Sequence, residues 1–121
     1  MPRSIMKPIV CVCGSHDIDY IDLDLFIDPA HVGEIISSES FGIDHLAKDW
    51  AFKNKVEYAE FKPNYDIWQD KAYLERDKNM IHFCDIVIAF WSGKDDNIAY
   101  MFNYAASTGR KYIIHKIEST D

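Results

Sequence analysis

Five short apolar runs recur along the chain and predict β-strands. They are rich in β-branched and aromatic residues, and several end at glycine, serine or proline, a composition typical of strands. The runs cover Pro8–Cys13, Gly33–Ser37, Val56–Phe61, Asp85–Trp91 and Tyr112–Ile117. The first and fourth are almost continuously apolar, which favours strands covered on both faces in a parallel sheet.

Two stripes of apolar residues predict helices between these runs. In each stripe the residues recur at i, i+3, i+4, i+7 and i+8, which places them on one face of a helix. The stripes are Ile43, Leu46, Ala47, Trp50 and Ala51, and then Ile98, Met101, Phe102, Ala105 and Ala106. Asn97 is expected to cap the second helix at its N-terminus, and Gly109 to end it.

Two further segments have less regular patterns. The spacing of apolar residues between Asp66 and Phe83 is weak, and it favours a helix mainly over Leu74–Phe83. Asp17–Asp28 fits either an alternating strand or a short helix, and we prefer the helix because of the elements that flank it.

Alternating strands and helices predict a single α/β domain over residues 1–121. Parallel βαβ units would form a three-layer Rossmann-like sandwich around a mostly parallel sheet of about five strands. In such sheets, ligands bind beyond the carboxyl ends of the strands, where the strand order reverses. The loops Gly14–Asp17, Ser37–Gly42 and Trp91–Asn97 are therefore the first places to look for function.

Composition narrows the possible partners. The 121 residues include 13 lysines and arginines against 20 aspartates and glutamates, a net charge of −7. This balance disfavours nucleic acid and anionic membranes as partners. Three cysteines are too few for a secreted disulfide scaffold, and the apolar run near the N-terminus is too short for a signal peptide or a membrane span. We therefore expect a cytoplasmic location.

A series of short motifs gives the chain a family resemblance. In order, they are Cys13-Gly14-Ser15-His16, Ser37–Asp44, Glu60–Tyr65, Arg76-Asp77, Ala89–Gly93 and Asp95–Ile98. The series resembles the SLOG superfamily, named for the DNA-uptake protein Smf/DprA and the "lonely guy" enzymes. Within it, the chain is most similar to the small bacterial and phage YspA/YpsA-like group, and the resemblance runs from about Ile9 to Ile117.

The resemblance implies a homodimer that binds a nucleotide or a nucleotide derivative at the three loops. Trp91 could stack on a base, and Arg76 is the main cation left to face a phosphate. The candidate ligand-binding residues are Gly14, Ser15, His16, Ser38, Glu39, Gly42, Asp44, Arg76, Trp91, Gly93 and Asn97. The other interpretation of these positions is structural: turns, a helix cap, a surface ion pair and ordinary packing.

The departures from the family pattern concern phosphate binding. Ser38-Glu39 stands where relatives have two glycines, and Asn97-Ile98 replaces Gly-Thr, with Asp95-Asp96 just before it. Glu39 would put a carboxylate where a phosphate sits, and His16 is a weaker cation than the usual arginine. We therefore predict a nucleotide-like ligand held by degenerate phosphate-binding loops.

Two alternatives remain open. One is an enzyme that cleaves the glycosidic bond of a nucleoside monophosphate, with Arg76 and Glu39 essential. The other is a dimeric scaffold without a ligand, in which the two striped helices, Ile43–Ala51 and Ile98–Ala106, extend into the dimer face. We identify no catalytic group and no cofactor, and Cys13 with His16 lacks the spacing of a metal site. The first hypothesis, a binding domain, is preferred.

Overall fold

The computed structural model describes residues 7–40 and 42–118. Residues 1–6, where the sequence indicates no targeting segment, lie outside this part of the chain. All five strands are parallel, in the spatial order β3-β2-β1-β4-β5. They are β1 (Ile9–Gly14), β2 (Glu34–Ser38), β3 (Glu57–Phe61), β4 (Ile86–Trp91) and β5 (Lys111–Lys116), each within one residue of its predicted bounds.

The α-helices are α1 (Ile43–Lys53), the single turn α2 (Tyr65–Trp68), α3 (Ala72–Phe83) and α4 (Asp96–Ser107). Short 3₁₀ turns lie at Leu23–Leu25, Pro29–His31 and Gln69–Lys71. Both helices predicted from the apolar stripes are confirmed. No helix of the described residues has the length and apolar character needed to cross a membrane.

One face of the sheet is covered by α1 and by the segment that follows β1. Val10, Val12 and Ile35 point to this side, where Ile43, Ala47, Trp50 and Ala51 of α1 pack against them. Because successive side chains of a strand point to opposite faces, the residues between them point to the opposite face of the sheet.

The second face is covered by α3 and α4. Cys11, Cys13 and Val87 point to this side, against a group of buried helix residues: Met80, Ile81, Ile98, Met101 and Ala105. The three layers and the parallel sheet make the fold a Rossmann-like sandwich. All three cysteines are free and buried.

The prediction of a helix over Asp17–Asp28 is wrong. The regular structure of this segment is limited to the 3₁₀ turn at Leu23–Leu25. Its residues Ile18, Ile21 and Ile27 are nevertheless buried against the sheet. The side chain of Asp22 accepts a hydrogen bond from the Asp24 N–H at 3.1 Å. Such local bonds offer the backbone an alternative to the helix, so the first crossover is irregular.

The N-cap of α4 was also placed wrongly on Asn97. The helix begins at Asp96, and Asp95 is its cap, since one carboxylate oxygen accepts from the N–H groups of Asn97 (2.8 Å) and Ile98 (3.4 Å). The expected stop is confirmed: Gly109 follows the helix with a φ of 75°, a left-handed conformation that glycine adopts readily.

The weak periodicity of α3 has a structural cause. Arg76 and Asp77 lie on its buried face, together with Ala72, Met80 and Ile81. Two charged residues in the middle of an otherwise apolar face interrupt the pattern. The same two residues line part of the candidate functional site.

Candidate functional site

The strand order reverses at β1, which lies between β2 and β4. The loops that follow these three strands meet at the carboxyl edge of the sheet, as predicted. An open cavity of about 440 Å³ lies there, lined by His16, Asp19, Glu39, Ser40, Gly42 and Tyr73. His16 and Ser40 also line a smaller pocket beneath it, whose 10 Å³ is room for about one water molecule.

Arg76 is the central side chain of this edge. It projects from α3 and is only 4% exposed. Its Nη1 donates to Glu39 Oε1 at 2.7 Å, while Nε and Nη2 donate to Asp77 Oδ1 at 3.1 and 3.0 Å. The guanidinium also lies 5.1 Å from the centre of the Tyr73 ring. The sequence left open that Arg76 forms a surface ion pair, but its pair with Asp77 is buried.

Asp77 is fully buried and lines the small pocket. Its Oδ2 atom has no hydrogen-bond partner among the described residues. Burial raises the pKa of the Asp77 carboxyl, and the neighbouring Arg76 opposes that rise. A carboxylate can be kept in such a place because a guanidinium compensates it directly.

Ser38 and Asp44 close the loop between β2 and α1. Asp44 Oδ2 accepts from the Ser38 hydroxyl at 2.6 Å and from the Ser38 N–H at 3.1 Å. Burial raises the pKa of Asp44 from 3.8 to about 6, although the Ser38 bonds, Arg76 and His16 each pull it down. The helix cap that the structural interpretation of these positions expects is not made by a side chain, because Gly42 is the N-cap of α1.

Gly14 and Ser15 have structural roles at the end of β1. A Cβ on Gly14 would lie 2.5 Å from the Ile43 Cβ, so only glycine allows α1 to approach this closely. Ser15 is fully buried, and its hydroxyl accepts from the Ser92 N–H at 3.1 Å, which ties the loops after β1 and β4 together. Of this motif, the exposed His16 is the residue that reaches the cavity.

Trp91 and Gly93 do not line the cavity. The Trp91 indole donates to the Asp95 carbonyl at 3.0 Å, and its ring packs edge-on against Phe102. Gly93 lies beside the Lys116 side chain. Among the other predicted residues, Asn97 lines the small pocket with Ser38, Asp44 and Arg76, while Glu39 and Gly42 line the open cavity.

The site includes residues that sequence reasoning missed. Tyr73 is 49% exposed and forms one wall of the open cavity, and Ser40 lines both spaces. Tyr73 lies one turn before Arg76 on α3, so its position could have been inferred once Arg76 was suspected. Nothing in the local pattern marks Tyr73 as more important than the other tyrosines.

The electrostatics of the site are dominated by carboxylates. Glu39 and Asp77 contact the single guanidinium, and Asp44 lies close enough for Arg76 to lower its pKa. The described residues contain no group of three histidine, cysteine or acidic side chains that could hold a metal ion. The arrangement can therefore accept hydrogen bonds from a ligand and stack on it, but it offers little to an anion.

No protein-family model, no curated protein and no solved structure matches this chain. The fold and the site define a Rossmann-like domain with a ligand-sized cavity at its switch point. Its membership of the SLOG superfamily stays a prediction from the motifs.

Proposed function

We propose that this chain is a binding domain for a small nucleotide-derived ligand, held by its base and ribose and not by its phosphates. The observation that carries the proposal is the cavity of about 440 Å³ at the switch point, bordered by an exposed aromatic ring. Its volume lies in the range of ordinary small-molecule sites, and open α/β sheets bind ligands at this position.

Tyr73 is the residue proposed to stack on the base. Its ring is half-exposed at the cavity wall, whereas Trp91, the stacking residue suggested by the motifs, donates its N–H within its own loop. Stacking of a base on an aromatic side chain contributes about 1–3 kcal/mol. Tyr73 is the large aromatic side chain among the residues that line the open cavity.

Glu39, Ser40 and His16 supply the polar contacts. All three line the cavity around Tyr73. A carboxylate accepts hydrogen bonds from the two hydroxyls of a ribose, and hydroxyl and imidazole groups can both donate and accept. These groups suit a nucleoside better than the phosphate that the resemblance to the SLOG superfamily implies.

Isothermal titration calorimetry with the four ribonucleosides, their 5′-monophosphates and ADP-ribose tests the proposal. We expect at least one nucleoside to bind, and Tyr73→Ala to weaken it, with Tyr112→Ala as the control on an exposed tyrosine of β5. The absence of binding by every compound at millimolar concentration would refute it. Chromatography of the same samples for released base tests the enzyme alternative.

The homodimer is a separate expectation from the resemblance. The apolar stripes of the two helices suggested to extend into its interface are used inside the chain, since Ile43, Ala47, Ile98 and Met101 are buried against the sheet. A dimer formed through these helices would therefore use their outward faces. Light scattering of the purified chain measures the mass directly, and a monomeric mass would end that expectation.

A further inference from the structure

The ion pair between Glu39 and Arg76 joins a partly exposed side chain to a buried one. Arg76 and Asp77 are 4% and 0% exposed, and both project from α3. Glu39 comes from the loop after β2, and its side chain is 35% exposed. The buried pair is held in place by the core, while Glu39 approaches it from the cavity side.

Glu39 occupies the position at which an oxyanion would meet the guanidinium. Its Oε1 lies 2.7 Å from Arg76 Nη1, a short charge-assisted hydrogen bond of the kind that phosphate and carboxylate ligands make with arginine. Arg76 lines the small inner pocket and Glu39 the open cavity. The Nη1 group of Arg76 therefore already donates a hydrogen bond to the chain itself.

The loop after β4 shows the same arrangement independently. There, the Asp95 carboxylate accepts the first free N–H groups of α4 at 2.8 and 3.4 Å. A helix N-terminus and an arginine are the two usual binding groups for an anion. At this sheet edge, each is satisfied by an acidic side chain of the protein.

We propose that Glu39 is a specificity-determining residue that keeps oxyanions out of the cavity. Its carboxylate fills the anion position at Arg76 and restricts the site to ligands without a phosphate or carboxylate, which under the proposed function means uncharged nucleosides. Without Glu39, the Nη1 donor of Arg76 becomes available, and the same position binds inorganic phosphate. The nucleoside part rests on the proposed function, but the phosphate part does not.

The first experiment compares adenosine with its 5′-monophosphate by calorimetry in the wild type, Glu39→Ala and Glu39→Gln. We expect the wild type to bind adenosine at least about tenfold more tightly than the monophosphate. The reason is that two like charges about 4 Å apart in a partly buried site repel each other by more than the free energy of a tenfold change in affinity. The preference should shrink or reverse in both variants. A wild type that binds the monophosphate as well as adenosine would overturn the proposal.

The second experiment uses inorganic phosphate alone and does not depend on a nucleoside. We expect phosphate to raise the melting temperature of Glu39→Ala, with an affinity at least about tenfold above that of the wild type. Glu75→Ala is the matched control, since it removes the same charge from an ion pair with Lys78 on α3. It should respond like the wild type.

The outcomes separate the two proposals. If no nucleoside binds any variant but phosphate stabilises Glu39→Ala, the proposed function fails and the role of Glu39 stands. If phosphate stabilises neither Glu39 variant, the role of Glu39 is wrong. Should Glu39→Ala fail to fold, as judged by circular dichroism, Glu39→Gln decides the matter, because it removes the charge that repels phosphate and leaves Arg76 Nη1 only a neutral acceptor, which an anion displaces.

Discussion

Replacement of Arg76 by methionine should strongly destabilise the protein. The variant keeps an unbranched side chain on the buried face of α3 but removes both donors to Asp77 Oδ1. Asp77 is fully buried, and its other oxygen has no partner in the described residues. Its carboxylate would therefore be left without a single hydrogen bond from the described chain.

The expected loss is about 3–5 kcal/mol, the usual cost of removing one partner from a buried ion pair. For a chain of 121 residues, this corresponds to roughly 10–25 °C in melting temperature. Loss of the charge also removes the influence that lowers the pKa of Asp77. Because protonation relieves the buried charge, the difference from the wild type should be smaller at pH 5 than at pH 7.

Urea unfolding followed by far-UV circular dichroism, at pH 7 and pH 5, measures this effect. Lys78→Met is the matched control, because it breaks a partly exposed ion pair on the same helix and should cost about 1 kcal/mol or less. In the double variant Arg76→Met/Asp77→Leu, most of the stability should return, since no fully buried unpaired charge remains and Glu39, which also loses its partner, is partly exposed. An Arg76→Met variant that loses no more than the Lys78→Met control would refute the reasoning.

Three more predictions concern single residues of the site. Burial raises the pKa of Asp44 from 3.8 to about 6, so the folded state binds a proton more tightly than the unfolded state. The protonated carboxyl therefore adds stability, about 3 kcal/mol as an order of magnitude. This stability is present near pH 4 and is lost as the pH rises through 6. Urea titrations between pH 4 and 7 should show this loss in the wild type and not in Asp44→Asn, and parallel curves would contradict it. Gly14→Ala should cost about 1–3 kcal/mol through its clash with Ile43, and an unchanged melting temperature would count against that contact. Tyr73→Ala should weaken nucleoside binding by about fivefold or more in calorimetry, whereas Tyr73→Phe should bind like the wild type; equal losses in both variants would argue against stacking.

Local patterns in the sequence were enough for most of the fold. The continuous apolar runs indicated a parallel sheet covered on both faces, and the two helical stripes indicated the helices that cover it. These predictions succeeded because burial on one or two faces imposes a period of 2 or 3.6 on the chain. They failed at Asp17–Asp28, where the carboxylates of Asp22 and Asp28 accept hydrogen bonds from nearby backbone N–H groups, and these bonds replace the helix.

The candidate site was only partly predictable. The edge of the sheet followed from the topology, and Arg76 and Glu39 were both named from the motifs. Their contact was not, because it joins positions 37 residues apart in sequence. A sequence pattern reports which residues are buried on one element, but it carries no signal for a side chain that meets a partner on another element.

The amino-acid sequence by itself thus determined the class of fold, the loops that meet at its switch point and the excess of negative charge. Only the tertiary structure decided what that charge does. It pairs Glu39 with Arg76 and lets the Trp91 indole donate to the Asp95 carbonyl in the loop after β4. It also makes Tyr73 the aromatic wall of the cavity. The physical reason is that periodic burial is a local property of each element, whereas pairing of charges depends on how the crossovers bring separate elements together.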